Sequence, residues 1–511
     1  MGVLIGRDGT IRHVIVGDTS QMMLPDIGRL RGGSGRFRGL RLVHTHVRGE
    51  ALTADDLNDL ALLRLDMVAM IEARDDGLPG RVEVAYLDPA VLAGGDDEEV
   101  PEDPFVHVYA RDPQALDLDV QATMSALEDE FARVVDRARG PKDAERALVV
   151  GTRPDDDHFE EVLELVRSAG VIVAGTARQK RRRVHPRTIV GPGKLQELVL
   201  EAMRRSATVA IFDIDLKPAQ ARAFEDATGL KAIDRTQLIL DIFAQRAASR
   251  DGKLQVELAQ LKYSLPRLTE KDEGLSRLTG GIGGRGPGET VMEIGRRRIR
   301  DRIRALEKQV KQLSKQRDLR RRRRRDQGIP VLSIVGYTNA GKSTLLNALT
   351  NSEVEAEDQL FMTLDPTTRR LRFPREGDVI LSDTVGFISE LPQDLVAAFR
   401  ATLEELGDAD LLLHVVDAAD PRLEDKIEAV DRLLADLDLA EVPVLMVLNK
   451  ADLLPPSEQQ GLVDRYHGVA VSALHRKGMQ DLIEAAEARL ASPDGEPEET
   501  LFAVGDHGEL H

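Results

Sequence analysis

Apolar positions along the chain change period several times, and each change marks an element or a domain edge. "GVLIGRDGTIRHVIVGD" alternates on both sides of an Arg-Asp-Gly turn and predicts two strands. "TADDLNDLALLRLDMVAMIEA" (53–73) takes helical spacing and predicts one long helix. An acidic, proline-punctuated segment comes next, and then "ALDLDVQATMSALEDEFARVVDRARG", which predicts a connecting helix. From about residue 146 the texture becomes strand–helix alternation. "RALVVGT", "GVIVAGTA", "TIVGP" and "ATVAIFDI" read as short buried strands, with "HFEEVLELVRSAG", "GKLQELVLEAMRRS" and "PAQARAFEDAT" as helices among them. That pattern predicts a parallel or mixed α/β layer.

From "RTQLILDIFAQRA" onward the chain turns strongly helical, and residues 254–316 read as a helical hairpin. Leu254, Leu258, Leu261 and Leu265 are spaced four, three, four; Ile299, Ile303, Leu306, Val310 and Leu313 continue a heptad-like seam on the return limb. Between them "TGGIGGRGPGE" (279–289) holds six glycines, one proline and one arginine. Such a segment is either a flexible turn or a tip whose peptide N–H groups approach RNA phosphates closely. From Ile329 to about Leu490 a second α/β alternation appears, with strands expected in "PVLSIVG", "DVILSDT", "LLLHVVDA", "VPVLMVLNK" and "GVAVSAL". The expected fold class is α/β: an N-terminal α/β domain, a helical hairpin and a second, C-terminal α/β domain, with an added N-terminal α+β extension. The expected boundaries are 1–145 for the extension, 146–248 for the α/β domain, 249–327 for the hairpin and its basic arm, 328–490 for the second α/β domain and 491–511 for an acidic tail.

Hydrophobic content of 42% and charged content of 31% suit globular domains. No apolar run approaches the ~20 residues of a membrane span, and the first thirty residues lack a secretory pattern. Zero cysteines exclude disulfides and thiolate sites. A cytoplasmic location is the expectation. The net charge of −18 argues against indiscriminate nucleic-acid binding by the whole surface. Charge is uneven, however: Arg285 to Arg325 holds seventeen Arg/Lys against five Asp/Glu, ending in the six arginines of "LRRRRRRD". Those arginines repel one another unless anions neutralise them, which points to a polyanion.

"GYTNAGKST" (336–344) fits G-x-x-x-x-G-K-[ST] between an expected strand and an expected helix. Gly336, Tyr337, Thr338, Asn339, Ala340 and Gly341 would wrap phosphates with backbone amides. Lys342 would reach the outer phosphate oxygens, and Ser343, beside Thr344, would ligate Mg²⁺. Asp383 ends the next strand, as a water-mediated magnesium ligand should, and Gly386 would present its amide to the γ-phosphate. In "NKAD", Asn449 would brace the loops and touch the base, Lys450 follows it, and Asp452 would accept from the guanine N1 and N2 donors. Adenine offers no donor pair there. "SAL" (Ser472, Ala473, Leu474) would offer the Ala473 amide to the guanine oxygen. These motifs in this order predict GTP and GDP as ligands. Thr363 is the expected residue closing over Mg²⁺ and the γ-phosphate, with Thr367 and Thr368 as alternatives; Lys342, Thr363 and Gly386 are the expected catalytic groups. Where a Ras-like enzyme has a water-orienting glutamine, this chain has Phe387, which has no donor or acceptor to offer. Slow intrinsic hydrolysis, on the order of 10⁻⁴ s⁻¹, is expected, accelerated by a partner.

The motif order, "DPTTRRL", "DTVGFISELP", "GPGKLQEL" (191–198), "DRTQLILDIFAQRA" (234–247), "GKLQVELAQLKYSLPRL" (252–268) and "GGIGGRGPGET" (280–290) resemble the HflX family of translation-associated GTPases. The resemblance spans about residues 146–490. It implies an N-terminal α/β domain, a helical hairpin and a C-terminal Ras-like P-loop GTPase domain. It further implies binding to the large ribosomal subunit and its rRNA, with GTP-dependent separation of stalled or idle ribosomes; a GTP-switched RNA-remodelling or assembly factor is the alternative. It also implies ATP as a candidate ligand of the N-terminal α/β domain. "VGPGKLQEL" is no second Walker loop, since Thr188 stands where the first glycine would fall and Leu195 where the magnesium hydroxyl would. Asn339 resembles the P-loop asparagine of potassium-stimulated GTPases, which implies K⁺ beside the phosphates; a loop-bracing asparagine is the plainer reading. Finally, "VHTHVRGEALTADDL" (43–57) resembles the JAMM metalloprotease pattern, with His44, His46 and Asp56 as zinc ligands and Thr53 in the serine place. The His46–Thr53 spacing is one residue short and no upstream glutamate base precedes His44, so an inactive fold is expected rather than a fused peptidase. Thr53 with Asp55 or Asp56 is equally a helix N-terminus.

Overall fold

The structure is a computed structural model, and it describes residues 1–18, 22–25, 27, 37–93, 101, 103–137, 145–179, 184–278, 291–325, 329–350, 367–373, 377–383, 387, 406–437 and 439–491. Two compact units divide it: Met1–Asp241 with Ser264–Arg296, and Ile242–Tyr263 with Arg297–His511. No helix among the described residues is long and apolar enough to cross a membrane.

The first unit begins with β1 (Gly2–Gly6), β2 (Ile11–Ile15), β3 (Leu40–His46), α1 (Ala54–Leu62), β4 (Met67–Ala73), β5 (Pro79–Leu87), α2 (Pro89–Ala93), β6 (Phe105–Ala110) and α3 (Val120–Arg137). Its six-stranded sheet has the order β2-β1-β3-β4-β5-β6. All pairs are antiparallel except β3 with β4, which are parallel and joined through α1. The Arg-Asp-Gly hairpin forms as expected, with the Gly6 amide bonding the Thr10 carbonyl at 2.8 Å and Gly9 at φ +79°.

The single helix expected over 53–73 does not form. Helix α1 stops at Leu62, Arg64 turns left-handed at φ +51°, and "MVAMIEA" becomes β4. Met67, Val68, Ala69 and Met70 are buried in succession, and such a run has no period to separate strand from helix. The break is held by Asp66, fully buried, which accepts from the Gly39 amide and the Arg7 guanidinium at 3.0 Å each. Strands β5 and β6 give no clear signal in the sequence, because β5 is also buried on successive positions and both border acidic loops.

A second, four-stranded parallel sheet has the order β10-β9-β7-β8. It is built from β7 (Arg146–Gly151), α4 (Asp156–Ser168), β8 (Ile172–Arg178), α5 (Pro192–Arg204), β9 (Val209–Phe212), α6 (Pro218–Thr228) and β10 (Lys231–Ile233). "TIVGP" forms no strand; Ile189 sits at φ +71° in a tight turn bridged to His185. Helix α5 has a wide apolar face, with Leu195, Leu198, Val199, Leu200, Ala202 and Met203 all buried. Val199, Leu200 and Met203 pack into the core of the first sheet, while Leu195, Leu198 and Ala202 pack into that of the second. The extension and the α/β layer therefore share one helix.

Helices α7 (Arg235–Arg246), α8 (Arg250–Leu278) and α9 (Val291–Arg325) come next. Along α9 the predicted seam is real: Leu306 is fully buried, Ile299, Ile303, Val310 and Leu313 are half-buried, and the residues flanking Leu306 are exposed. Arg302 grips Glu257 through two hydrogen bonds of 2.7 and 2.8 Å, and Lys262 meets Glu307 at 2.8 Å. The glycine-rich segment 279–289 lies outside the described residues.

The second unit's sheet has the order β12-β13-β11-β14-β15-β16, parallel except for β12. Its elements are β11 (Val331–Val335), α10 (Lys342–Thr350), β12 (Thr367–Phe373), β13 (Gly377–Asp383), β14 (Leu411–Asp417), α11 (Leu423–Asp436), β15 (Val444–Asn449), α12 (Pro456–Tyr466), β16 (Val469–Ala470) and α13 (Met479–Ala491). The successive buried positions of β11 and β14 are those of strands covered on both faces. Thr367 and Thr368 open β12, where Thr367 pairs with Asp383, rather than sitting in a loop.

Candidate functional site

The loop from β11 into α10 lies at the C-terminal end of the parallel strands, where open α/β sheets bind ligands. Its shape depends on two glycines. Gly336 has φ +149°, and a Cβ there would lie 2.1 Å from the Val415 carbonyl oxygen of β14. Gly341 has φ +88°, and its Cβ would lie 2.3 Å from Asn449 Nδ2. Asn339 between them is left-handed at φ +63°. The Lys342 ammonium folds back onto the Tyr337 carbonyl at 2.7 Å, at the loop's mouth. Ser343 and Thr344 follow in the first turn of α10, whose N-terminus favours anions. Tyr337 is buried, with the Lys426 ammonium 4.8 Å from its ring centroid.

At the end of β15, Asn449 is 2% exposed and joins three loops. Its Nδ2 donates to the Ala340 carbonyl at 2.8 Å, and its Oδ1 accepts from the Ala473 amide at 3.0 Å. The Ala473 amide, expected to serve a guanine oxygen, is thus engaged by Asn449, because the carboxamide offers it a buried acceptor. Lys450 is left-handed and pairs with Asp417 at 2.8 Å. Asp452 lies beside Ser472, whose hydrogen bond holds its carboxyl below the ordinary range, and beside His475 at 3.5 Å. Leu474 is exposed. Asp417 is missed by the motif reading; the available signal is a carboxylate ending an apolar strand, as at Asp383.

Phe387 is 2% exposed. Its amide donates to the Gly336 carbonyl at 3.1 Å, and its carbonyl accepts from the Thr338 amide at 2.7 Å. The residue in the glutamine's place is therefore stitched to the phosphate loop by its backbone, with its ring in the core. Thr363, Gly386 and the side chain of Asp383 lie outside the described residues.

The other expected cluster does assemble. His44 and His46 project from β3 toward Asp56 in the first turn of α1, and one ligand atom from each lies within 4.8 Å of the others. Thr53 takes the helix N-terminal place. Its hydroxyl accepts from the Asp56 amide at 3.3 Å as an N-cap, and Asp56 Oδ2 accepts from the Thr53 amide at 2.8 Å. Burial works to raise the Asp56 carboxyl, but hydrogen bonds from His44 and Thr53 outweigh it and lower the pKa to about 2. In the α/β layer, Gly191 caps α5 while Leu195 is buried, and the Thr188 hydroxyl is engaged by His185 and Val190.

A parallel sheet with this glycine-shaped loop, its lysine and the Asn449–Asp452 turn defines a P-loop GTPase domain. Three family models match the chain: "GTP-binding GTPase N-terminal" over 156–244, "GTP-binding GTPase Middle Region" over 246–324 and "50S ribosome-binding GTPase" over 331–450. A GTPase HflX of Caldanaerobacter subterraneus subsp. tengcongensis is 49% identical over 352 residues, covering 68% of this chain and 81% of its own. The GTPase HflX of Escherichia coli K12 is 46% identical over 342 residues, covering 66% and 80%. A GTP-binding protein of Sulfolobus solfataricus in complex with GDP aligns over 68% of this chain and 99% of its own, at 24% identity and a TM-score of 0.40. The chain belongs to the HflX family of GTPases. It binds GTP and is a GTP hydrolase.

Proposed function

We propose that this GTPase works with Mg²⁺ on the large ribosomal subunit and drives the separation of stalled or idle ribosomes. The observation that carries the reading is the chain's own order. Helix α9 ends in six arginines at Arg325, and only residues 326–330 separate it from β11, which leads into the phosphate loop. A limb that rewards rRNA phosphates is joined to the strand whose far end meets the nucleotide. The description of the third matching family, a 50S ribosome-binding GTPase, supports the same partner.

In this reading Lys342 and the loop amides hold the phosphates, Ser343 and Thr363 ligate Mg²⁺, and Asp383 holds it through water. Gly386 donates to the γ-phosphate and Asp452 selects guanine. Phe387 contributes its backbone alone, so the attacking water is ordered by the partner. Asn339, at the crown of the loop, holds K⁺ against the phosphates, where a positive charge offsets developing negative charge. GTP turnover measured with and without large subunits, in K⁺ and in Na⁺, is the test. Turnover that ignores large subunits overturns the ribosomal reading, and equal rates in the two salts remove the K⁺. Gradients of 70S ribosomes with GTP then separate splitting from an RNA-remodelling or assembly role: no accumulation of free subunits favours the latter.

A further inference from the structure

The β3–α1 cluster lies outside the nucleotide site, and the GTPase reading makes no use of it. We propose that His44, His46 and Asp56 hold one divalent transition-metal ion, zinc by donor chemistry, with a fourth position left for water or a small anion.

The pattern of hydrogen bonds at the cluster is the reason. His46 Nδ1 lies 3.0 Å from the Glu50 carbonyl, which can only accept, so the ring's proton sits on Nδ1 and Nε2 presents a lone pair. Fixing a histidine's tautomer through a backbone carbonyl is the usual support of a metal-ligating imidazole. That lone pair is 2.9 Å from His44 Nε2, which is itself 3.1 Å from Asp56 Oδ1. A single proton on His44 Nε2 can satisfy one of those two acceptors and leaves the other facing a partner it cannot bond. A cation at the centre satisfies all three at once. The separations suit one: ligands bound at ~2.0–2.1 Å in a tetrahedron lie about 3.3 Å apart, and the observed spacings are 2.9, 3.1 and, for His46 Nε2 to Asp56 Oδ2, 3.7 Å. Two imidazoles and one carboxylate favour zinc and its neighbours over magnesium or calcium, which prefer all-oxygen shells.

Asp56 is preset by its capping bonds to Thr53, and His44 by its place in the sheet, paired with Gly2 on one side and Met70 on the other. His44 Nδ1 is buried with no hydrogen-bond partner, which leaves Nε2 as the ring's only useful atom. The row continues from Met70 to Glu83, but both Glu83 oxygens are engaged, one by His107 at 3.1 Å and one by the Leu52 amide at 3.0 Å. That carboxylate is therefore not poised as a base, and the ion's role is to tie the end of β3 to the start of α1 across residues 47–53.

The test uses the full chain, stripped with a chelator and titrated with Zn²⁺ and Co²⁺. One equivalent of zinc should survive gel filtration, and Co²⁺ should develop the visible absorption of a four-coordinate site that zinc then bleaches. His46→Gln and Asp56→Asn should each lose zinc affinity at least tenfold while keeping GTP turnover, which shows the chain still folds. Absence of stoichiometric zinc, a six-coordinate Co²⁺ spectrum, or undiminished zinc in both variants would overturn the proposal.

Discussion

His414 is a histidine in the middle of β14, 0% exposed, with neither ring nitrogen hydrogen-bonded. An acid oxygen on Asp431 stands 3.9 Å from Nδ1, and the Lys342 charge opposes protonation. Burial, with that charge second, lowers its pKa to about 4. In the unfolded chain the value is about 6.5. Because the folded-state pKa is depressed, the unfolded state binds the extra proton between the two values. The contribution is complete above pH ~6.5 and is lost as pH falls toward 4, at up to ~1.4 kcal/mol per unit. That amounts to about 1.4 kcal/mol lost by pH 5.5 and about 2.5 kcal/mol by pH 4.5. In His414→Leu this limb should vanish, and at pH 7 the variant should be neutral to about 1 kcal/mol more stable, since a buried unpaired polar ring is gone. Hydrogen exchange of the β14 segment across pH, in wild type and variant, isolates the difference from the carboxylates that both share. Histidine-selective NMR gives the pKa directly, with the resonance assigned by its absence from the variant. A resonance titrating near 6.5, or stability curves that run parallel, would refute the reasoning.

Gly336→Ala should abolish GTP binding in an equilibrium titration, because its Cβ meets the Val415 carbonyl at 2.1 Å and the backbone cannot yield cheaply; unchanged affinity would mean the loop is not built as described. Asn449→Ala leaves the Ala340 carbonyl and Ala473 amide unpaired and should cost about 1–3 kcal/mol of domain stability, read by chemical denaturation. Phe387→Gln should not restore fast hydrolysis in a single-turnover assay, since the position is held in the core by its backbone. In the α/β layer, Asp213 is fully buried and accepts from the Thr152 amide and hydroxyl and the Arg153 amide at 2.7–3.0 Å. Asp213→Ala should destabilise the first unit by ~3 kcal/mol or more, while Asp213→Asn should cost less.

The nucleotide motifs are legible in the sequence because they are contiguous. "GYTNAGKST" and "NKAD" carry their chemistry within a few residues, and strand–turn–helix context is itself local. The α9 seam is legible for the same reason, since a heptad is a one-dimensional pattern. Two kinds of feature are not. Strand β4 reads as helix because a doubly buried strand has no alternation, and only its pairing with β3 and β5 reveals it. The engagement of the Ala473 amide by Asn449 joins residues twenty-four apart in the chain, and no local pattern encodes it.

Short-range spacing thus specifies the class of ligand, the order of the domains and the residue types at the nucleotide and histidine clusters. Backbone geometry converts such spacing directly into shape, so no distant contact is needed to read it. Three other features are settled by long-range packing: α5 belongs to two cores, Phe387 is tied to the phosphate loop, and one ligand atom each of His44, His46 and Asp56 converges on one place. Those depend on which distant surfaces are buried together. Burial is a property of the packed chain, and the same residues in the same order would be compatible with other partners until the sheets close.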